Sequence, residues 1–204
     1  MKETPTVGAG SPRPFGAQIT PTGVNFAIFS RNATSMRLCV FASATDSEAL
    51  WSIALDPRCH RTGDIWHLHV DGLSAGALYA WRADGPFLPE RGYRFNPNKL
   101  LIDPYAKALS GSFIWDAQTA KAYDNASDRR DLSFSTVDDA GSMPKCIVVD
   151  DAAFDWEGDR PLNLPLRHCV IYEAHVRGLS ALASEKTQWP GCYRGVIDMI
   201  PYLR

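Results

Sequence analysis

The sequence predicts a mainly β protein, in which an antiparallel β-sandwich is followed by an irregular segment and the beginning of an α/β barrel. The first observation is that apolar residues recur with a period of two in short runs between residues 15 and 90. The second is that Gly and Pro residues separate these runs. Short alternating runs with such breaks are typical of a sandwich, and no helical period competes with them.

The third observation is the run 169–178, CVIYEAHVRG, whose β-branched and aromatic start predicts a short strand buried on both faces. Polar Glu173, His175 and Arg177 alternate with small or apolar residues toward its end. Active sites of (β/α)8 barrels lie at the carboxyl ends of their strands, so these groups could lie near a substrate cleft. A structural hydrogen-bond network is the alternative. Only 26 residues follow the run, whereas a whole barrel needs about 250.

The predicted sandwich strands follow one another at short intervals. The alternating runs occupy residues 24–28, 36–40, 51–55, 65–70 and 78–84. In the fourth run, apolar residues share one face, whereas His67 and His69 share the other. Because Gly and Pro interrupt regular structure, the pair at 85–86 ends the last run.

Composition and periodicity divide the chain into four predicted parts. These are an extended leader at 1–14, the sandwich at 15–115, a connecting segment at 116–167 and the barrel start at 168–204. Apart from one apolar run at 146–149, the connecting segment shows little periodicity and is too long for a plain loop. We therefore expect it to pack over a neighbouring surface, with Phe154 and Trp156 as anchors.

Charge and cysteine content limit the classes of partner and the cellular compartment that we expect for this protein. Lys and Arg number 21 against 23 Asp and Glu, and neither sign forms a long run. Nucleic acid and membrane are therefore not expected as partners. Five cysteines without a C-x-x-C pair indicate free thiols in a reducing compartment. Because the first residues carry no apolar signal region, we expect a cytoplasmic location.

The strand pair His67 and His69 has a spacing that could hold a metal ion. No third His, Cys or carboxylate has matching spacing, although Asp71 continues the same face. A solvated strand face is therefore the favoured interpretation, and we predict no metal site. We also predict no cofactor, since neither G-x-G-x-x-G nor a phosphate-binding P-loop occurs.

Aromatic residues on the predicted strands are candidate glycan contacts, because sugars present C–H faces that stack on aromatic rings. The candidates are Trp51, Trp66 and Trp81. Aromatic residues with a period of two on strands are more often part of the core, and Trp66 has the most core-like neighbours. Both interpretations remain open for each tryptophan.

Six motifs, in order, carry a resemblance to a known family. They are TGDIWH at 62–67, YAWRADGP at 79–86, RFNPNKLLIDPYAKA at 94–108, MPKC at 143–146, FDWE at 154–157 and VIYEAHVRG at 170–178. Together they resemble the N-terminal part of bacterial isoamylase-type glycogen debranching enzymes, which belong to the α-amylase superfamily, glycoside hydrolase family 13. Cys192 departs from the family, in which a Thr is usual, and the loop at 180–190 is short and irregular.

The resemblance implies an early-set immunoglobulin-like, glycan-binding sandwich and the start of a retaining glycosidase barrel. The run 169–178 would match the first barrel strand and residues 193–204 the first barrel helix. Tyr172, Glu173, His175 and Arg177 would then be scaffold at the barrel mouth. The family's catalytic carboxylates lie on later strands, so none can be assigned to this chain.

The resulting hypothesis is the N-terminal portion of an enzyme that hydrolyses α-1,6-glucosidic branch linkages in glycogen, amylopectin or maltodextrin. We expect this chain alone to be inactive. One alternative is a stand-alone, non-catalytic α-glucan-binding module. Another is a non-functional remnant whose barrel strand exposes unpaired edges.

Overall fold

The computed structural model describes residues 4–204, which divide into two compact units, one ending at Asp155 and one beginning at Trp156. The first unit is mainly β, as predicted. Its strands are β1 Val7–Gly8, β2 Gly16–Thr20, β3 Gly23–Phe29, β4 Ser35–Phe41, β5 Trp51–Ala54, β6 Arg61–Thr62, β7 Ile65–Asp71, β8 Leu78–Asp84, β9 Phe87–Leu88, β10 Tyr93–Arg94, β11 Ala108–Ser110 and β12 Lys145–Ile147.

Two antiparallel five-stranded sheets form the sandwich, and a separate hairpin joins β9 to β10. The first sheet has the order β1-β7-β3-β2, with β6 also paired to β7. The second sheet has the order β11-β12-β8-β4-β5. The long central strand pairs, β3 with β7 and β4 with β8, have an uninterrupted register. Val24 lies opposite Val70 in the first pair, and Leu38 lies opposite Trp81 in the second.

The main core lies between the two sheets and follows the alternation of the sequence. Its fully buried members include Phe26, Leu38, Trp66, Leu68 and Trp81. Burial of each such side chain stabilises the folded state by about 1.5–3 kcal/mol relative to leaving that side chain exposed. This layer is therefore the main source of stability.

A smaller cluster covers the outer face of the second sheet. Cys39, Phe41 and Ala80 contribute from the strands, and Leu100 and Ala140 cover them from irregular segments. The second sheet is therefore covered on both faces. The first sheet covers its inner face, and the segments around residues 100 and 140 cover its outer face.

The sheets extend beyond the predicted bounds 15–115 at both ends. Strand β1 lies in the predicted leader, where Val7 pairs with Val70. Strand β12 lies in the predicted connecting segment and corresponds to the apolar run at 146–149, with Cys146 paired to Tyr79. Both strands supply backbone partners to strands that would otherwise have an open edge, which explains their recruitment.

The second unit contains three short helices, α1 Val176–Ser180, α2 Tyr193–Asp198 and α3 Ile200–Leu203. Residues 193–203 are helical apart from a break at Met199, and the role of 193–204 as the first barrel helix stays a prediction.

The predicted buried strand at 169–178 is wrong. Among the described residues no strand pairs with 169–175, Val170 is 98% exposed, and α1 begins at Val176. A barrel strand needs hydrogen-bonded neighbours on both sides, and the described residues supply none.

None of the helices within residues 4–204 is long and apolar enough to cross a membrane.

Candidate functional site

Trp66 and Trp81 lie in the sandwich core and are 0% exposed. The Trp66 indole N–H donates to the carbonyl oxygen of Ser30 at 3.0 Å, and the Trp81 indole N–H donates to Asp103 Oδ2 at 3.3 Å. A sugar ring cannot reach either face without opening the sandwich. The prediction of glycan contact at these two residues is therefore wrong, because both lie on the inward face of their strands.

Trp51 differs from the other two tryptophans. It lies on β5, at the edge of the second sheet, and its partly buried ring packs against the core. Its indole N–H is buried and has no hydrogen-bond partner among the described residues. A glycan-binding role for Trp51 stays a prediction.

A buried carboxylate joins strand β8 to the segment that follows the hairpin. Asp103 is 2% exposed and accepts hydrogen bonds from the Tyr79 hydroxyl at 3.0 Å, the Trp81 indole and the Tyr105 backbone N–H at 2.8 Å. The Asp103 backbone N–H donates in turn to the Cys146 sulfur at 3.3 Å. These contacts satisfy the buried polar groups and hold the segment around residue 103 against the sheet.

Burial shifts the pKa values of two groups in this cluster, the Cys146 thiol and the Tyr79 hydroxyl. It raises the pKa of the Cys146 thiol to about 11. Burial, and then the negative charge of Asp103, also raise the pKa of Tyr79 well above its ordinary value. Both groups stay protonated near neutral pH, so the cluster serves packing and position rather than proton transfer.

His67 and His69 do not form a solvated strand face. His67 is buried, with Nδ1 donating to the Ala9 carbonyl at 2.8 Å and Nε2 lying 2.9 Å from the Thr62 hydroxyl. His69 pairs with Asp71 at 3.0 Å and contacts Thr20 at 2.8 Å. Within residues 4–204, no group of three metal-binding side chains occurs.

The four predicted barrel-mouth residues do not share a strand face. His175 precedes α1, and its Nδ1 accepts from the Gly178 backbone N–H at 3.4 Å, while Arg177 lies inside the helix. A hydrogen bond with Tyr202 raises the pKa of the exposed Tyr172. Glu173 is exposed, and its scaffold role, like that of the other three, stays a prediction.

A groove on the first unit combines aromatic rings with polar side chains. We call it the Tyr93–Phe95 groove; it has a volume of about 440 Å³ and is lined by Asn32, Tyr93, Phe95, Asn96, Lys99 and Leu101 among others. The turn before β10 depends on Gly92, whose φ of 82° is in the left-handed region that favours glycine. This turn reverses the chain from β9 to β10 and places Tyr93 beside the groove.

The polar side of the groove is rigid. Lys99 is 7% exposed, and its ammonium group donates to the carbonyls of Thr119 at 3.0 Å and Val137 at 2.9 Å. Asn96 donates to the Ser135 carbonyl at 2.8 Å. Since an ammonium group carries three hydrogens, Lys99 keeps one donor beyond these two bonds.

The groove can accommodate a hydroxyl-rich ring. Aromatic side chains can stack on the C–H face of a sugar, and adjacent polar groups can bond its hydroxyls. Sequence reasoning missed this site because Tyr93 and Phe95 lie in a segment punctuated by prolines, without the alternation of a strand. The motif RFNPNK at 94–99 was visible, but only the fold shows that its side chains line one groove.

A family model matches residues 14–106: carbohydrate-binding module 48, the isoamylase N-terminal domain. This region of the chain is therefore similar to the isoamylase N-terminal domain. The matched region includes the sandwich strands from β2 to β10 and nearly all of the groove lining; Ala122 lies outside it.

The glycogen debranching enzyme of Yersinia enterocolitica is 40% identical over 202 residues, which cover 98% of this chain and 28% of the relative. That of Yersinia pseudotuberculosis is 41% identical over 173 residues, which cover 85% of this chain and 24% of the relative. The chain thus spans about a quarter of the length of these relatives. It is homologous to their N-terminal region, as the resemblance of its motifs implied.

Solved structures show the same fold. The product complex of SpuA, a multi-modular glycogen-degrading pneumococcal virulence factor, superposes with a TM-score of 0.59 at 22% identity, covering 96% of this chain and 18% of that one. Pullulanase from Bacillus acidopullulyticus superposes with a TM-score of 0.56 at 21% identity, covering 89% and 18%. The fold of this chain is therefore similar to part of each of these longer chains.

Proposed function

We propose that this chain is the N-terminal portion of a glycogen debranching enzyme and binds branched α-glucan through the Tyr93–Phe95 groove. The reaction of the whole protein would be hydrolysis of α-1,6-glucosidic branch linkages in glycogen or amylopectin. The observation that carries the proposal is the position of an aromatic and polar groove within an isoamylase N-terminal domain. Its similarity to glycogen debranching enzymes supports the substrate class.

The groove is a better candidate than the strand tryptophans. Tyr93 and Phe95 are partly exposed, whereas Trp66 and Trp81 are fully buried. The Tyr93 hydroxyl makes no hydrogen bond to any other described residue, so it is available to a sugar hydroxyl. The ring can contribute stacking at the same time.

Binding is expected without hydrolysis. Glycosidic hydrolysis needs two carboxyl groups on opposite sides of the scissile bond, about 5–5.5 Å apart for retention. Glu173, which the sequence predicted to lie on a barrel strand, is in a stretch that pairs with no described strand. Incubation of the chain with glycogen should release no reducing ends above blank, and turnover would refute this expectation.

The decisive experiment is a calorimetric titration of the chain with maltoheptaose and a branched dextrin. Tyr93→Ala should weaken binding about tenfold, because the stacking surface and the hydroxyl are both lost. Tyr93→Phe should retain most of the affinity, because the stacking ring remains. Tyr193→Ala, which removes an exposed tyrosine of the second unit, serves as the matched control and should bind like the unchanged chain. Equal affinity of Tyr93→Ala and the control would refute the role of the groove.

A stand-alone α-glucan-binding module is the second candidate. It is favoured by the division of the chain at Asp155, since the first unit has its own core. The coding sequence after Arg204 separates the two candidates. Further βα repeats carrying strand-end Asp and Glu would support the debranching enzyme, and a stop codon would support the module.

A cytoplasmic location belongs to the same proposal. All five cysteines are free, and Cys59, Cys169 and Cys192 are exposed. Unpaired exposed thiols are typical of a reducing compartment. Cell fractionation with an antibody against the chain would test this location, and recovery from the periplasm or the medium would contradict it.

A further inference from the structure

A second concavity lies in the segment that follows the isoamylase N-terminal domain. We call it the Tyr123–Phe134 pocket; it has a volume of about 300 Å³, and its lining includes Gln118, Tyr123, Asp124, Asn125, Phe134 and Thr136. All of these residues lie beyond residue 106, where the family match ends. These lining residues therefore lie outside the region that the family model matches.

The two walls of the pocket are tied together by hydrogen bonds. The Ser135 backbone N–H donates to the Ala122 carbonyl at 3.1 Å, which joins the wall at 134–137 to the wall at 118–125. Lys99 bridges the same walls through the Thr119 and Val137 carbonyls. The Lys99 ammonium is buried, so this bridge is shielded from water. The pocket is thus formed before any ligand arrives, which lowers the entropic cost of binding.

Both aromatic rings of the pocket are positioned by neighbours. The Lys121 ammonium lies 5.2 Å from the centre of the Tyr123 ring, at a distance typical of a cation–π contact. Phe134 meets Phe87 in an edge-to-face contact at 4.9 Å and stays 37% exposed. These contacts hold the rings while part of each still lines the pocket.

The polar groups of the pocket include one fixed amide and two free groups. Asn125 accepts from the Lys121 ammonium at 2.8 Å and donates to the Ala117 carbonyl at 2.8 Å. The Gln118 amide and the Thr136 hydroxyl make no hydrogen bond to any residue that the structure describes. Each can donate and accept, as the hydroxyls of a polyol require. The Asp124 carboxylate at the pocket makes an anionic ligand unfavourable.

We propose that the Tyr123–Phe134 pocket binds a single glucosyl unit of an α-glucan, as a second contact beside the Tyr93–Phe95 groove. Its volume is at the lower end of the range for ligand pockets, about 300–1,000 Å³, which suits one hexose ring. Ala122 lines the groove and Tyr123 lines the pocket, so the two sites flank the same stretch of backbone. This proposal rests on the proposed α-glucan-binding function and names a further site for it.

The test is a titration of the full chain with branched dextrin, using a double variant, Gln118→Ala with Thr136→Val. Both side chains are exposed and make no hydrogen bond to residues 4–204, so the fold should persist, which circular dichroism can verify. Loss of two hydrogen bonds to the ligand should weaken binding about tenfold. Gln188→Ala, an exposed glutamine of the second unit, is the matched control and should leave binding unchanged.

The outcomes separate the two proposals. Weaker binding in the double variant than in the control supports the pocket. Unchanged binding in the double variant, together with loss in Tyr93→Ala, overturns the pocket and leaves the groove standing. Failure of the unchanged chain to bind branched dextrin or maltoheptaose overturns both. Backbone amide shifts at Gln118 and Thr136 on addition of maltose provide a second readout; their absence at saturation would overturn the pocket.

Discussion

The hydroxyl of Tyr79 donates a 3.0 Å hydrogen bond to Oδ2 of Asp103, a residue 24 positions later that lies outside every strand. The same oxygen accepts from Trp81, two residues along β8. An aspartate without regular secondary structure thereby satisfies two aromatic groups of the sandwich core. This contact holds the segment leading from the hairpin against the sheet, next to the groove that begins at Tyr93.

Removal of this carboxylate should destabilise the first unit. Asp103→Ala leaves the Tyr79 hydroxyl and the Trp81 indole N–H buried without an acceptor, so we expect the free energy of unfolding to fall by about 2–4 kcal/mol. Urea unfolding followed by tryptophan fluorescence measures the change. Asp128→Ala, which alters an exposed aspartate, should stay within about 0.5 kcal/mol. Equal effects of the two variants would contradict the structural role of Asp103.

Stability should fall at alkaline pH because of Cys146. Burial raises the pKa of its thiol from the ordinary value of 9.0 to about 11 in the folded protein. The unfolded chain therefore loses this proton first, and stability that is complete below pH 9 is lost progressively up to pH 11. The loss attributable to Cys146 is about 2–3 kcal/mol.

Comparison of urea unfolding at pH 8 and pH 11 checks this contribution. Cys146→Ala should show a smaller drop between the two pH values than the unchanged chain, because the titrating thiol is gone. Cys59→Ala removes an exposed thiol and should leave the drop unchanged. If Cys146→Ala retained the full drop, other groups would be responsible for it.

Trp51→Phe should leave stability nearly unchanged or raise it slightly. The substitution removes a buried indole N–H that has no partner among the described residues, and leaving such a donor unsatisfied costs about 1–3 kcal/mol. The accompanying loss of apolar area offsets part of that gain. Trp66→Phe is the comparison, since its indole N–H bonds to Ser30, and it should lose about 1–3 kcal/mol. Thermal melting curves distinguish the two variants. Equal destabilisation would contradict the conclusion that the Trp51 indole N–H is buried without a partner among the described residues.

Gly85→Ala should disturb both stability and the groove. A Cβ atom at this position would lie 2.7 Å from Phe95 Cγ and 3.0 Å from the Asn32 carbonyl oxygen. The Phe95 ring must move, so we expect a loss of about 1–3 kcal/mol in the free energy of unfolding. Gly141→Ala meets only ordinary contacts, at 3.5 Å from Ser47, and is the matched control in urea unfolding. A neutral Gly85→Ala would show that Phe95 is free to shift.

Much of the sandwich could be predicted because its signal is local. In β3 and β7 the apolar residues alternate along the chain, and the structure buries that face between the sheets. The prediction failed where pairing depends on remote residues. His67 and His69 were assigned to a solvated face, but Ala9 and Thr20 contact them from segments far away in the sequence.

The candidate site was predictable only in kind. Aromatic residues suggested a glycan contact, yet the alternation that made Trp66 and Trp81 visible is also what places them in the core. Tyr93 and Tyr123 carry no periodic signal, because turns and irregular segments present them. Hydrogen bonds between distant residues, such as Lys99 to Thr119 and Val137, decide where those segments lie.

The sequence by itself determined the antiparallel sandwich, its inward face and the resemblance to isoamylase-type debranching enzymes, because period-two alternation and ordered motifs are written along the chain. Only the tertiary structure decided which aromatic rings are accessible, since accessibility depends on what covers a residue. The tertiary structure also decided that residues 169–175 form no strand, although this run has every local sign of a buried strand. Its backbone pairs with no strand among the described residues, and a strand exists only where another strand bonds to it.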